Sequence, residues 1–269
     1  MIPLRDNVPT LRRPIMTWLI IVVNVAVFVF SIAQSDRVLP RYDRDGKVAV
    51  SGFDATTLEK GFTPCELASD CERPGYGETL RAGSDKADDV VKVRVDRAPV
   101  WLTLLTAMFM HGGWVHLIGN MLFLFVFGNN VEDAMGRMAF LLFYLLCGLA
   151  ASLTQFAIDT SSEVPNIGAS GAIAGVLGGY VMLHPRARVL TAVPLLVFVY
   201  VAELPAVFVL VTWFALQVLN GSAGLVNPDA SFGVAYFAHI GGFVAGLVLV
   251  RLFAWPTRVR RQRAGVSYA

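Results

Sequence analysis

Apolar and polar residues follow one another in long blocks, not in the single-residue alternation of an exposed sheet. The run from Ile15 to Phe30, preceded by Arg12-Arg13, predicts a first membrane span. A secretory signal ending at Ser31-Ile32-Ala33 is the other reading, although the apolar stretch is long for one. Residues 34–98 are polar, with Gly, Pro and Asp turn signals, and read as an extramembrane loop. Within it, Val90 to Val95 alternates enough for a short strand. Trp101 to Met110 is an apolar approach, and Trp114 to about Val131 predicts a second span. Glu132-Asp133 and Gly136-Arg137 mark a short turn before a third span, Met138 to Ile158.

A polar loop, Asp159 to Ile167, leads into an apolar helix from Ser170 to Leu183 that stops at His184-Pro185. Roughly 15 residues at about 1.5 Å each give about 22 Å, less than a bilayer core of about 30 Å. One end of this fourth helix must therefore start inside the membrane. Non-helical backbone is tolerated at such depth only where it is buried in protein or lines a water-filled cavity. Thr191 to Asn220 is apolar but broken by Pro194 and Glu203-Leu204-Pro205. Pro205 suits the first turn of a helix and Glu203 its positive end, so a fifth span is expected at about 205–220, after a surface or re-entrant piece. A single long kinked span is the alternative. Tyr236 to Phe253 predicts the sixth span, and a basic tail follows.

The expected fold is all-α: a polytopic membrane bundle of six transmembrane helices. Residues 1–33 form the N-terminus and first span, 34–98 an extracytoplasmic loop, 99–254 a transmembrane core and 255–269 a basic cytoplasmic tail. Composition agrees: 55% of the 269 residues are hydrophobic, 16% are charged, and mean hydropathy is +0.60. A net charge of +2 without a basic stripe argues against nucleic acid. Arg12, Arg13, Arg137, Arg186, Arg188, Arg251 and the tail all fall on one side if both termini are cytoplasmic. That topology puts the 34–98 loop outside and Ser170 toward the outer leaflet. Cys65 and Cys71 then face an oxidising space, where a disulfide and two free thiols are both open. Cys147, within an apolar helix, reads as a small packing residue.

Candidate chemistry is confined to a few polar groups. Ser170 lies between glycines at a helix start, in Asn166-Ile167-Gly168-Ala169-Ser170-Gly171-Ala172. Gly168, Gly171, Gly175 and Gly179 form a small-residue stripe, and Gly242 and Gly246 lie on the face of His239. Two such faces let the fourth and sixth helices approach closely, which would bring His239 within reach of the Ser170 hydroxyl. An unassisted hydroxyl is a weak nucleophile, and imidazole is the base suited to neutral pH. His116 and Asn120 share one face of the second span. They are either an interhelical packing pair or two donors for a developing oxyanion. His184 fits a helix C-terminus. The acids Glu132, Asp133 and Glu203 fall on the cytoplasmic side, so a Ser–His dyad is expected without a third member. No cofactor is expected, and His111, His116 and His239 lack the partners of a metal site.

Three stretches together resemble the rhomboid family of intramembrane serine proteases. They are His111-Gly-Gly-Trp-Val-His116-Leu-Ile-Gly-Asn120, Gly168-Ala-Ser170-Gly171 and Ala238-His239-Ile-Gly-Gly242-Phe-Val-Ala-Gly246. The resemblance implies that Ser170 is the nucleophile and His239 the base, and that His116 and Asn120 bind the oxyanion. It implies a six-span core open to water from the outer side. It also implies substrates that are themselves transmembrane helices, here in a bacterial-type plasma (inner) membrane. Some members carry a tyrosine four residues after the nucleophile, stacked on the histidine; here that position is Ala174, so another group must orient His239. The Trp-Arg pair that some members carry in the first loop is absent. A non-catalytic relative that only grips transmembrane helices is the main rival. A transporter is a weaker one, because no internal repeat is seen.

Overall fold

The computed structural model describes residues 1–34, 39–43, 46–50, 52–69, 71, 76–80, 90–94, 98–195, 198–226 and 234–264. In chain order these give β1 (Ile2–Asp6), α1 (Ile15–Ala33), β2 (Leu39–Asp43), β3 (Gly46–Val50), α2 (Gly52–Lys60) and α3 (Pro64–Ala68). Then come β4 (Tyr76–Leu80), β5 (Val90–Arg94), α4 (Val100–Thr106), α5 (Trp114–Phe123), α6 (Asn129–Met135), α7 (Arg137–Ile158) and α8 (Ser170–Leu183). The last are β6 (Arg188–Leu195), β7 (Phe198–Pro205), α9 (Ala206–Val226), α10 (Tyr236–Phe253) and α11 (Pro256–Ala264). A widened π-helical turn, Leu124–Gly128, joins α5 to α6.

Among the described residues, five helices are long and apolar enough to cross a membrane: Ile15–Ala33, Trp114–Met135, Arg137–Ile158, Ala206–Leu225 and Tyr236–Phe253. They fall where the first, second, third, fifth and sixth spans were expected. The helix starting at Ser170 has 14 residues, the short one the sequence called for.

By its contacts the chain divides into two units. The first comprises Met1–Val22, Ile118–Thr154 and Ser170–Ala269. It corrects the all-α expectation: β1, β6 and β7 form an antiparallel sheet in that order. The piece before the fifth span is thus a β-hairpin, neither re-entrant nor the start of a kinked helix. Its Val, Thr, Phe and Tyr content favours a pleated strand over the helix that bulk hydropathy suggests. Phe198, Val199, Tyr200 and Val201 stay exposed along the outer strand.

The sheet is tied to α8 through a buried polar cluster. Tyr180 Oη and Asn130 Nδ2 both donate to Asp6 Oδ2, at 2.5 and 2.6 Å. Burial outweighs these bonds and raises the Asp6 pKa from 3.8 to about 6. The folded carboxyl keeps its proton up to about pH 6, whereas an unfolded one loses it near 3.8. The native state therefore binds more protons between those values, and this group's contribution to stability falls as pH rises through that window. Asp6→Asn, which keeps an acceptor for both donors, should remove that part of the pH dependence. Thermal melts from pH 4 to 7 check this; an unchanged slope would reject it.

Glu132 and Asp133 are not turn residues as expected. Both are buried in α6. Glu132 Oε1 accepts from the Met16 backbone N–H at 3.0 Å, and its Oε2 accepts from the Thr17 N–H and hydroxyl, both at 2.7 Å. Asp133 Oδ2 accepts from the Leu11 N–H at 2.8 Å. Glu132 thus satisfies donors that the start of α1 leaves without intrahelical partners, and Asp133 holds the chain just before it.

The second unit comprises Val23–Leu117 and Gln155–Ala169. β2 pairs with β3, and β4 with β5, each antiparallel. The latter pair contains the strand expected at Val90; Val95 lies outside the described residues. Of the two readings left open for Cys65 and Cys71, the structure has the disulfide. Phe62, fully buried, exchanges backbone bonds with Asn166, and the Cys65 N–H donates to the Ser162 carbonyl. The loop expected at 34–98 is thus partly folded, and it pairs with the loop that leads to Ser170.

Candidate active site

Ser170 is the first residue of α8, two residues after Gly168, whose φ of +125° suits glycine alone. A helix start leaves its first N–H groups unbonded, and they point outward beside the hydroxyl. His239 stands in the first turn of α10. The two meet: Ser170 Oγ is 2.7 Å from His239 Nε2, and both residues are half-buried.

Glycines explain that approach. A Cβ added at Gly242 would strike the Gly171 carbonyl, and one at Gly246 the Gly175 carbonyl, so the α8 and α10 backbones touch. The other face of α8 packs on α7, where Cβ atoms at Gly171 and Gly175 would meet Ala151 and Cys147. Cys147 is fully buried there, a packing residue as expected. The stripe and the reactive pair are therefore one feature: α8 is held between α7 and α10 with no side chains to keep the hydroxyl and imidazole apart.

Gln217, on α9, was missed by the sequence reading. Its Oε1 is 2.9 Å from His239 Nδ1, and its Nε2 donates to the Trp213 carbonyl at 3.2 Å. The Trp213 ring lies 5.8 Å from the imidazole, tilted by 42°. The available signal was an amide set between Leu216 and Val218 in an apolar helix, where a polar group calls for a partner. The same pair supplies what Ala174 lacks, a side-chain environment for the imidazole.

Asn120 lies on α5 and is 8% exposed, yet its Nδ2 has no hydrogen-bond partner among the described residues. The π-helical turn that follows it packs against α8, with Phe127 and Tyr180 ring centroids 4.9 Å apart. His116, one turn before Asn120, accepts at Nδ1 from the Gly112 N–H at 3.4 Å. A neutral imidazole accepting at Nδ1 carries its proton on Nε2 and can donate there. The His111 ring packs 5.0 Å from that of His116, edge to face. Burial first, then the neighbouring His116, hold the His111 pKa down at about 4, so it is neutral at physiological pH. His184 follows α8, buried, with its N–H on the Tyr180 carbonyl, at the helix end where it was expected.

The apolar helices define an integral membrane protein, and within it α8 and α10 juxtapose a hydroxyl and an imidazole. The chain belongs to the rhomboid family: the Rhomboid domain model matches residues 98–256. Among its relatives, Rhomboid-like protein 11, chloroplastic, of Arabidopsis thaliana is 31% identical over 160 residues, 58% of this chain and 54% of that protein. RHOMBOID-like protein 5 of the same plant is 35% identical over 147 residues, 54% of this chain and 42% of the relative. Rhomboid protease GluP of Bacillus subtilis is 32% identical over 161 residues, 58% of this chain and 27% of the relative. The matched stretch thus spans about half or less of these relatives' length. The match to a named protease supports a function of the protease type.

Proposed function

We propose that the protein is an intramembrane serine endopeptidase that cuts peptide bonds in or near transmembrane helices of other membrane proteins. The 2.7 Å contact between Ser170 Oγ and His239 Nε2 carries this reading. His239 Nε2 takes the hydroxyl proton as Oγ attacks the scissile carbonyl. The tetrahedral oxyanion receives the Asn120 amide, the His116 Nε2–H and the Ser170 backbone N–H. The proton passes from His239 to the leaving amine, and the acyl group stays on Ser170. Water, deprotonated by His239, then attacks the ester; the new carboxyl end leaves as His239 returns the proton to Ser170 Oγ. A helical substrate hides its carbonyls in hydrogen bonds, so segments loosened by Gly, Pro or small residues should be cut preferentially.

The same reading keeps six spans, with α8 as the short one, both termini cytoplasmic and the 34–98 loop outside. Relatives named chloroplastic and mitochondrial give no support to a bacterial inner membrane in particular. The test is to incubate the detergent-solubilised protein with a fluorophosphonate probe and map the adduct by mass spectrometry. Labelling confined to Ser170 is expected. An unlabelled Ser170 would favour the non-catalytic binder of transmembrane helices.

The unpaired Asn120 donor fits a group that awaits an acceptor. Asn120→Ala should slow cleavage by on the order of 10²-fold or less, with little change in melting temperature, because two other donors remain. A large fall in melting temperature with the rate preserved would instead make Asn120 a packing residue.

A further inference from the structure

We propose that Gln217 is a positioning residue that locks His239 into the one tautomer able to serve Ser170; this rests on His239 being the base. Because Gln217 Nε2 is committed to the Trp213 carbonyl at 3.2 Å, the amide turns its oxygen toward His239 Nδ1 at 2.9 Å. An amide oxygen only accepts, so Nδ1 must carry the proton. Nε2 is then a bare lone pair, and it faces Ser170 Oγ at 2.7 Å. A proton on Nε2 instead would leave no base for the hydroxyl and would set Nδ1 against the amide oxygen, lone pair to lone pair. Where a triad uses a carboxylate to hold the imidazole, here a neutral amide does so without burying a charge. Gln217 is 8% exposed, so water does not compete strongly for that bond.

The readout is 15N NMR of the histidine-labelled protein in detergent, with the His239 signals identified by comparison with His239→Ala. Wild type should show His239 protonated at Nδ1 and bare at Nε2. Gln217→Met should show mixed tautomers, with fluorophosphonate labelling of Ser170 slowed by about tenfold or more and the melting temperature shifted by a few degrees at most. Cleavage should lose kcat and keep KM. A wild-type His239 protonated at Nε2 overturns the proposal, as does Gln217→Met with an unchanged tautomer and labelling rate. A wild type that never labels would sink the protease reading instead, while the tautomer measurement would still stand.

A different feature carries a second inference: the geometry points to a phosphate-binding site in a cavity of about 360 Å³ at the other end of this unit. Arg12, Arg13, Arg137 and Arg258 line it, with Glu132 and Asp133. Both carboxylates already have donors, Glu132 the Met16 and Thr17 N–H groups at the start of α1 and Asp133 the Leu11 N–H, at 2.7 to 3.0 Å. Among the arginines, Arg258 has its Nη1 buried without a partner among the described residues and its guanidinium 5.0 Å over the Trp255 ring. The first turn of α7, Arg137 and Met138, adds a helix's positive end. A phosphate would supply the missing acceptors. Exposed Met138 in the lining and exposed Trp255 beside Arg258 suit the acyl chains of an anionic phospholipid.

The test measures the melting temperature of the delipidated protein in detergent with phosphatidylglycerol, phosphatidylcholine or inorganic phosphate. Phosphatidylglycerol at about a hundredfold excess over its Kd should raise it by roughly 5–10 °C, and phosphatidylcholine should not. A gain with inorganic phosphate as well makes the site one for free phosphate. The double variant Arg137→Gln, Arg258→Gln should lose the gain, whereas Arg186→Gln, Arg251→Gln should keep it. Equal responses to both lipids, or a gain that survives in the first double variant, overturn the site.

Discussion

Ser170→Ala is expected to abolish cleavage: no new termini should appear from a panel of single-span helices that the wild type cuts. The loss should be on the order of 10⁴-fold or more, because nothing else can form the acyl-enzyme. Removing one member of such a unit costs nearly as much as removing all, so His239→Ala should be about as inactive, and the double variant no worse. The substitution should leave the fold intact. The α8–α10 contact is made by glycine backbones, at Gly171 with Gly242 and at Gly175 with Gly246. The hydroxyl adds one hydrogen bond to that contact, 2.7 Å to His239. Melting temperature should change by no more than a few degrees, and substrate helices should still co-purify with the variant. Mass spectrometry of the reaction mixture decides. Cleavage at the wild-type site by Ser170→Ala, at a tenth of the wild-type rate or more, removes the nucleophile assignment and with it the mechanism.

The features legible in the sequence were those written in local composition. Apolar blocks gave the long helices, and the stop at His184-Pro185 gave the short helix Ser170–Leu183. The glycine positions on α8 and α10 gave their close approach, and with it the Ser170–His239 pair. What stayed hidden depended on partners distant in the chain. Thr191 to Pro205 is apolar enough to pass for membrane-buried chain. It becomes a hairpin because Ile2–Asp6, far away in the chain, supplies a third strand, with Arg5 opposite Leu190 and Asp6 opposite Val189. Gln217 gave no motif, because an amide has meaning only beside the imidazole it faces. Glu132-Asp133 looked like a polar break between spans for the same reason: a carboxylate at a helix–helix junction and one capping a distant helix are spelled alike.

Glu132 is where that hidden pairing should be most visible as stability. Glu132→Ala is expected to destabilise the protein by about 3–5 kcal/mol, since hydrogen bonds to a charged group contribute about 1.5–3 kcal/mol each and are not additive. Three donors lose their acceptor, the Met16 and Thr17 N–H groups and the Thr17 hydroxyl. Thr17 is 1% exposed, so water cannot replace the carboxylate without opening the packing around α1. The Ile15 N–H uses the Arg13 carbonyl and the Trp18 N–H the Pro14 carbonyl, so Glu132 serves the donors between them. The melting temperature should fall by roughly 10 °C. Glu132→Gln keeps one good acceptor and should lie between the two. Glu132 touches neither Ser170 nor His239 in any hydrogen bond described above, so well below the melting transition fluorophosphonate labelling should proceed at the wild-type rate. A Glu132→Ala protein that melts within about 2 °C of wild type would mean that the start of α1 is held by its apolar contacts alone, and the carboxylate would then be a passenger.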